Sequence, residues 1–263
     1  MRVEVNGTTL NVFQQPASCA SHSAIIAPAL VFLHYFGGSS RAWSKVIEKL
    51  SNEYCCIAPD MRGFGDSDAT TTNYTVSDSV DDVAALIDAL RLEHYILVGH
   101  SMGGKIALSF AARQPPGLKS LVLLAPSPPS PEPIPDDERA RLLATYGERR
   151  AAAETLAKIT AQALPSELLE QALKDNLRTS RAAWTAWLEC GSREDITAQA
   201  SQVHVPVLVV AGAKDKAMTA DLLRREVVRR IAGARLTSIP AAGHLLPLEA
   251  PQATAKLIRE HIQ

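Results

Sequence analysis

The chain has 263 residues, of which 46% are hydrophobic, so it can bury a large core in one domain, with or without an insert. Lysine and arginine number 27, aspartate and glutamate 28, and the formal net charge is -1. This balance argues against a basic nucleic-acid-binding surface and an acidic interaction arm, and the aromatic content of 5% argues against a base-stacking surface.

The N-terminus, the apolar runs and the cysteines give an expectation for the cellular location of the protein. The N-terminus has no basic stretch followed by an apolar one, and no apolar run approaches the roughly 20 residues that span a bilayer. Cysteines at positions 19, 55, 56 and 190 fit no zinc spacing and no regular disulfide framework. Cys55 and Cys56 lie in an apolar run, which favours core packing. We therefore expect a cytoplasmic protein that contacts no membrane and no nucleic acid.

The first half of the chain alternates strands and helices. Residues 2–13 predict a hairpin around Asn6-Gly7, a pair that tolerates the positive φ of a tight turn, and 14–28 predict a surface loop. Apolar strands are then predicted at Ala29–Leu33, Cys55–Ala58, Tyr95–Val98 and Leu118–Ala125. They alternate with helices predicted at Trp43–Leu50, Val76–Leu90 and Met102–Arg113. Short apolar strands in such an order indicate an α/β fold with a mostly parallel sheet covered by helices on both faces.

The alternation is interrupted in the second half. Residues 126–135 are proline-rich and predict a linker, and 136–200 carry helical patterns without a strand signal. The alternation then resumes with strands predicted at Val205–Ala211 and Arg235–Ile239. The helices are predicted near Asp221–Ile231 and from about Ala250 to Ile262. We thus expect an α/β core of residues 1–126 and 201–263 and an all-helical cap of residues 127–200. An insert at the C-terminal end of a strand lies where such sheets bind ligands; the alternative is a helical domain away from the site.

One pentapeptide predicts a nucleophile. Residues 99–103 read Gly-His-Ser-Met-Gly between a predicted strand and a predicted helix. A serine on so tight a turn is lifted above the sheet, and side chains two residues before and after it would collide with neighbouring backbone. The helix that follows Ser101 directs its N-terminal N–H groups at any anion formed there.

A serine nucleophile needs a base and an acid that orients the base. Among seven histidines, His244 directly follows the last predicted strand, at the sheet edge where Ser101 lies, whereas His100 is expected to be a packed neighbour. Asp215 follows the strand before it and is the expected acid. Asp221 is better explained as a helix cap, and Glu132 in the proline-rich segment is a poor candidate.

With these residues in place, the chain resembles the α/β-hydrolase fold family over nearly its whole length except residues 127–200. The resemblance implies Ser101 as nucleophile, His244 as base and Asp215 as acid. Residues 34–39 are similar to the family's oxyanion loop, with Tyr35 replacing a glycine. This similarity implies that the backbone N–H groups of Phe36 and Met102 hold the oxyanion.

A second stretch, residues 60–67, is similar to the family's turn after the next strand. There we expect Asp60 and Arg62 to tie loops together. No phosphate loop, dinucleotide fingerprint or metal cluster is visible in the sequence, so we expect neither a cofactor nor a metal.

The type of nucleophile narrows the reaction. Family members that open epoxides or remove halides carry aspartate at this position, so Ser101 predicts acyl transfer on a small-molecule ester. Lactone hydrolysis, C–C bond hydrolysis and perhydrolysis remain alternatives, although C–C hydrolases usually carry a Gly-Pro-Gly-type oxyanion loop. A small-molecule receptor on this fold is a third hypothesis. Side chains expected to line an apolar pocket are Phe36, Met102, Trp184, Trp187, Met218 and Leu245; the tryptophans could equally form the core of the cap.

Overall fold

The computed structural model describes residues 1–18 and 27–263. The strands are β1 (Arg2–Val5), β2 (Thr8–Gln15), β3 (Ala29–Leu33), β4 (Cys56–Pro59), β5 (Tyr95–His100), β6 (Leu118–Leu124), β7 (Val207–Gly212) and β8 (Arg235–Ile239). The helices are α1 (Ser44–Leu50), α2 (Val76–Ala89), α3 (Met102–Ala112), α4 (Asp136–Ala144), α5 (Arg149–Ile159), α6 (Ser166–Arg178), α7 (Arg181–Glu189), α8 (Thr197–Ala200), α9 (Ala220–Glu226), α10 (Leu246–Glu249) and α11 (Pro251–Ile262).

The eight strands form one sheet in the order β1-β2-β4-β3-β5-β6-β7-β8. β1 and β2 pair antiparallel around Asn6 and Gly7, whose φ angles are 38° and 74°, so the predicted hairpin is confirmed. β2 joins β4 antiparallel, and every later pair is parallel. β2 takes in the start of the predicted 14–28 loop, and positions 19–26 of that loop, with Cys19 and His22, lie outside the described residues.

The central strands explain the apolar runs of the sequence. All residues of β3, β4, β5 and β7 are buried. Because successive side chains point to opposite faces, full burial means that helices cover both faces of the sheet. α1 packs beside α11, and α2 packs beside α3. The predicted α/β sheet is confirmed, and its parallel strands bring the loops that follow β3, β5, β7 and β8 to one edge.

Residues 127–200, called here the insert, separate β6 from β7. They contain the helices α4 to α8 and, as predicted, the described structure has no strand there. The insert contacts the core through backbone and side chains: Ser180 N–H donates to the Gly63 carbonyl over 2.7 Å, and the Arg41 guanidinium pairs with buried Asp175. The division into a core and a cap stays a prediction.

One local prediction near the C-terminus is wrong. The helix expected near 221–231 is present as α9 followed by a short 3₁₀ turn, but Asp221 does not cap it. Thr219 is the N-cap, because its hydroxyl accepts the Leu222 N–H over 3.2 Å, whereas Asp221 lies in the first turn and pairs with Arg224. The short helix α10 was not expected.

Within the described residues, no helix combines the length and the apolar character needed to cross a membrane.

Candidate active site

Ser101 lies at the junction of β5 and α3 in a strained conformation. Its φ is 52° and its ψ is -115°, a region that side chains other than glycine rarely occupy. The turn is held by neighbouring strands and loops: the Ser101 N–H donates to the Leu124 carbonyl over 3.0 Å, and the Ser101 carbonyl accepts the Ser127 N–H over 2.9 Å. This surrounding structure fixes the serine side chain above the sheet edge.

The flanking glycines are required by close backbone approach. A Cβ on Gly99 would lie 2.4 Å from the Gly103 carbonyl oxygen, and a Cβ on Gly103 would lie 2.4 Å from the Leu33 carbonyl oxygen. Neither separation is possible between real atoms, so the steric argument made from the pentapeptide holds in the folded chain.

The structure brings the three predicted residues into one hydrogen-bonded chain. His244 Nε2 lies 2.9 Å from Ser101 Oγ, and His244 Nδ1 lies 2.7 Å from Asp215 Oδ2. The two loops that carry His244 and Asp215 are joined where the Lys214 N–H donates to the Ala242 carbonyl over 2.9 Å. All three side chains are buried, so water competes little for these contacts.

The charges of this group follow from its contacts. Burial opposes ionisation of Asp215, but the hydrogen bond to His244 and the N–H groups of Met218 and Ala217 outweigh it and lower the pKa of the carboxyl. Burial likewise opposes protonation of His244, but the hydrogen bond and charge of Asp215 outweigh it and raise the imidazole pKa above 6.5. An ionised Asp215 only accepts, so Nδ1 of His244 carries a proton and Nε2 of the neutral ring is free to accept the serine proton.

The two backbone groups predicted to hold an oxyanion have no hydrogen-bond acceptor among the described residues. Met102 is the first residue of α3, so its N–H has no helical partner. Across residues 1–18 and 27–263, neither the Phe36 nor the Met102 N–H donates to another residue. Beneath this loop, buried His34 donates from Nδ1 to the Tyr35 carbonyl over 2.8 Å and accepts the Met61 N–H at Nε2 over 3.0 Å. His34 therefore fixes the loop, a role that the sequence analysis did not assign.

His100 is a packed neighbour, as expected. It is fully buried, and its Nε2 donates to the His244 carbonyl over 2.8 Å. Burial chiefly lowers the pKa of His100 to about 3, so this ring stays neutral. His100 thus fixes the backbone of the His244 loop from the sheet side.

The side chains predicted to line a pocket fall in three places. The Trp184 ring centroid lies 4.5 Å and that of Trp187 6.3 Å from the Phe36 ring, so the insert reaches the candidate oxyanion loop. Met218 lies in the Asp215 loop and donates its N–H to that carboxylate over 3.0 Å. Leu245 is fully buried in a second apolar cluster between core and insert. Their role in substrate contact stays a prediction.

Asp60 and Arg62 tie loops together, as predicted. Asp60 accepts the N–H groups of Ser40 and Asp66 over 2.6 and 2.8 Å. Arg62 Nε donates to Asp82 Oδ2 over 2.6 Å, and both side chains are buried. These contacts brace the loops that follow β3 and β4.

Glu249 is a site residue that the sequence analysis missed. Its carboxylate accepts the N–H groups of Gly243 and Leu245, on either side of His244, over 3.0 and 2.9 Å. The available signal was that Glu249 is the only acidic residue between His244 and Arg259.

Comparison with known proteins assigns the chain to a family. The pattern of the alpha/beta hydrolase fold matches residues 28–181. The 2-(acetamidomethylene)succinate hydrolase of Mesorhizobium japonicum is 30% identical over 271 residues, covering 99% of this chain and 94% of that protein.

Two solved structures share the fold. An esterase from Exiguobacterium antarcticum is 22% identical with a TM-score of 0.88, covering 99% of this chain and 98% of that one. The enol-lactonase from Burkholderia xenovorans LB400 is 25% identical with a TM-score of 0.85, covering 100% and 99%. The family pattern spans more than half of this sequence, and the chain belongs to the α/β-hydrolase fold family.

Proposed function

We propose that this protein is a serine hydrolase that cleaves carboxylic esters through an acyl-enzyme on Ser101. The observation that supports this most directly is the chain of contacts from Ser101 Oγ to His244 Nε2, 2.9 Å, and from His244 Nδ1 to Asp215 Oδ2, 2.7 Å. A serine hydroxyl is a weak nucleophile until a base takes its proton, and this chain supplies the base together with the group that orients it.

Each proposed step uses an atom of this group. Ser101 Oγ attacks the ester carbonyl carbon while its proton passes to His244 Nε2, and Asp215 stabilises the imidazolium that results. The negative oxygen of the tetrahedral intermediate accepts hydrogen bonds from the N–H groups of Phe36 and Met102. As the intermediate collapses, His244 returns the proton to the departing alcohol. Water then attacks the acyl group by the same route, releasing the acid and restoring Ser101.

The insert is proposed to act as the cap over this site. Its α7 tryptophans, Trp184 and Trp187, face Phe36 of the candidate oxyanion loop. The Ile159 carbonyl at the end of α5 accepts the His244 N–H over 2.8 Å. Aromatic walls at this position favour an apolar acyl or alcohol group, so the proposed ligand is a small-molecule ester.

Lactone hydrolysis is the second candidate. The likeness to an enol-lactonase over the full length of both chains supports it, because a lactone is a cyclic ester. The proposed steps are unchanged, except that the leaving alcohol remains part of the acyl chain on Ser101, so water releases a single ring-opened acid.

The test compares turnover of p-nitrophenyl esters of increasing acyl length by the wild type and by Ser101→Ala. The matched control is Ser109→Ala, since Ser109 lies on the same helix and donates to Gln199 away from the site. A fluorophosphonate probe, which reacts only with an activated serine, is applied to all three proteins.

We expect turnover of short esters that is lost in Ser101→Ala and kept in Ser109→Ala, with labelling at Ser101 alone. Labelling without ester turnover would redirect the assay to lactones. Tight ligand binding with slow turnover would favour the receptor hypothesis. Ester turnover that survives in Ser101→Ala would refute the assignment of the nucleophile.

A further inference from the structure

The Glu249 carboxylate, at the end of α10, accepts three backbone N–H groups. Oε2 accepts those of Gly243 over 3.0 Å and Ala161 over 2.7 Å, and Oε1 accepts that of Leu245 over 2.9 Å. Hydrogen bonds to an ionised acceptor are about twice as strong as those between neutral groups. Two of the three donors flank His244, and the third belongs to the insert, so one side chain joins the two segments.

The backbone of His244 is held from both sides. Its N–H donates to the Ile159 carbonyl of the insert over 2.8 Å, and its carbonyl accepts His100 Nε2 of the core over 2.8 Å. The approach of the insert is close: a Cβ on Gly243 would lie 2.6 Å from Ala161 N and 2.7 Å from the Ile159 oxygen. The loop that carries His244 is therefore clamped between the core and the insert.

We infer that Glu249 is a positioning residue, which ties the His244 loop to insert residues 159–161 and makes the placement of Nε2 against Ser101 depend on docking of the insert. The inference rests on the proposed function. The catalytic rate depends strongly on the position of the catalytic groups, since a misplacement of about 1 Å can cost about 10²-fold in rate. The imidazole needs such support because its Asp215 contact holds the ring at Nδ1, while the reacting Nε2 must be placed by the backbone that carries the ring.

Three variants separate position from charge. Glu249→Gln keeps the size of the side chain, but its amide nitrogen cannot accept one of the N–H contacts and its negative charge is gone. Gly243→Ala keeps the carboxylate and instead pushes the loop away from Ala161. The matched control is Glu260→Gln, because Glu260 is an exposed glutamate on the neighbouring helix α11 and pairs with Lys256 over 3.4 Å.

The readouts are the fluorophosphonate labelling rate of Ser101, kcat and KM on a p-nitrophenyl ester, and the thermal midpoint. We expect labelling and kcat to fall about tenfold or more in Glu249→Gln and in Gly243→Ala, within the cost of a misplacement below 1 Å, with KM nearly unchanged. Glu260→Gln should match the wild type in all of them.

A pH profile adds a measurement that would not change if Glu249 had only a structural role. The titratable groups that face His244 are Asp215, Glu132, Glu249 and His100. Because the negative charge of Glu249 contributes to raising the pKa of His244, Glu249→Gln should shift the acid limb of kcat/KM to lower pH. Gly243→Ala leaves the charge in place and should lower the rate without that shift.

Wild-type labelling and kcat in Glu249→Gln, with only a lower thermal midpoint, would overturn the inference while the proposed function stands. A wild-type protein that the probe does not label would overturn both. If Glu249→Gln yields no folded protein, Glu249→Asp takes its place, since it keeps the charge and shortens the reach by one methylene. Lowered kcat without a shift of the acid limb then supports the inference, and wild-type kcat overturns it.

Discussion

Asp215→Asn tests the orienting acid, and the structure defines what the amide must do. Asp215 Oδ1 accepts two N–H groups, from Ala217 over 2.8 Å and Met218 over 3.0 Å, while Oδ2 faces His244 Nδ1. In asparagine the oxygen must therefore take the Oδ1 place, and the NH₂ group takes the Oδ2 place. That NH₂ donates to Nδ1, so the imidazole proton moves to Nε2 and points at Ser101.

In this tautomer Nε2 cannot accept the serine proton, although the fold is unchanged. The loss observed for such a change in a serine protease is about 10⁴-fold in kcat, or roughly 5 kcal/mol of transition-state stabilisation. We expect a similar loss in kcat here. The thermal midpoint should change little, because all the backbone donors to the side chain keep an acceptor.

The assay is steady-state hydrolysis of a short p-nitrophenyl ester beside a thermal melt. Asp221→Asn is the matched control, because Asp221 is exposed, lies six residues away and pairs with Arg224. Glu132→Gln tests a second carboxylate whose charge acts on His244. Activity of Asp215→Asn within tenfold of the wild type would refute the reasoning, and a large loss in Glu132→Gln would move the orienting role to that residue.

Two further predictions concern pH and packing. Since contact with Asp215 raises the pKa of His244 above 6.5, protonation inactivates the base on the acid side, and kcat/KM should fall as pH drops through that raised value; a rate that stays constant to well below pH 6.5 would contradict this. Gly103→Ala places a methyl group against the Leu33 carbonyl and should cost about 3 kcal/mol in denaturant unfolding. Gly147→Ala, with open space but φ of 80°, should cost only the strain of about 1–2 kcal/mol, so equal losses would contradict the steric explanation.

The sequence predicted the features that local patterns encode. Buried parallel strands appear as continuous apolar runs, and the hairpin follows from the conformational freedom of Asn6-Gly7. The pentapeptide around Ser101 is informative because the turn brings backbone atoms so close to Gly99 and Gly103 that a side chain there would clash. His244 and Asp215 could be predicted because the carboxyl ends of parallel strands meet at one edge, so a residue just after a strand has a predictable place.

Helix ends were less predictable. Asp221 and Thr219 are both capping residue types, and the geometry that selects Thr219 arises only when the chain leaves β7 and turns into α9. The brief helix α10 depends on packing beneath the insert rather than on an amphipathic pattern.

The sequence by itself determined the sheet, the sharp turn at Ser101 and the two loops that carry Asp215 and His244. Tertiary structure alone decided the contacts between segments distant in the chain: His34 beneath the oxyanion loop, His100 and Ile159 on either side of His244, and Glu249 against the insert. The physical reason is that each of these contacts involves a backbone N–H or carbonyl group. Every residue carries a carbonyl and every residue except proline an N–H, so no pattern of residue types reveals which of them will meet.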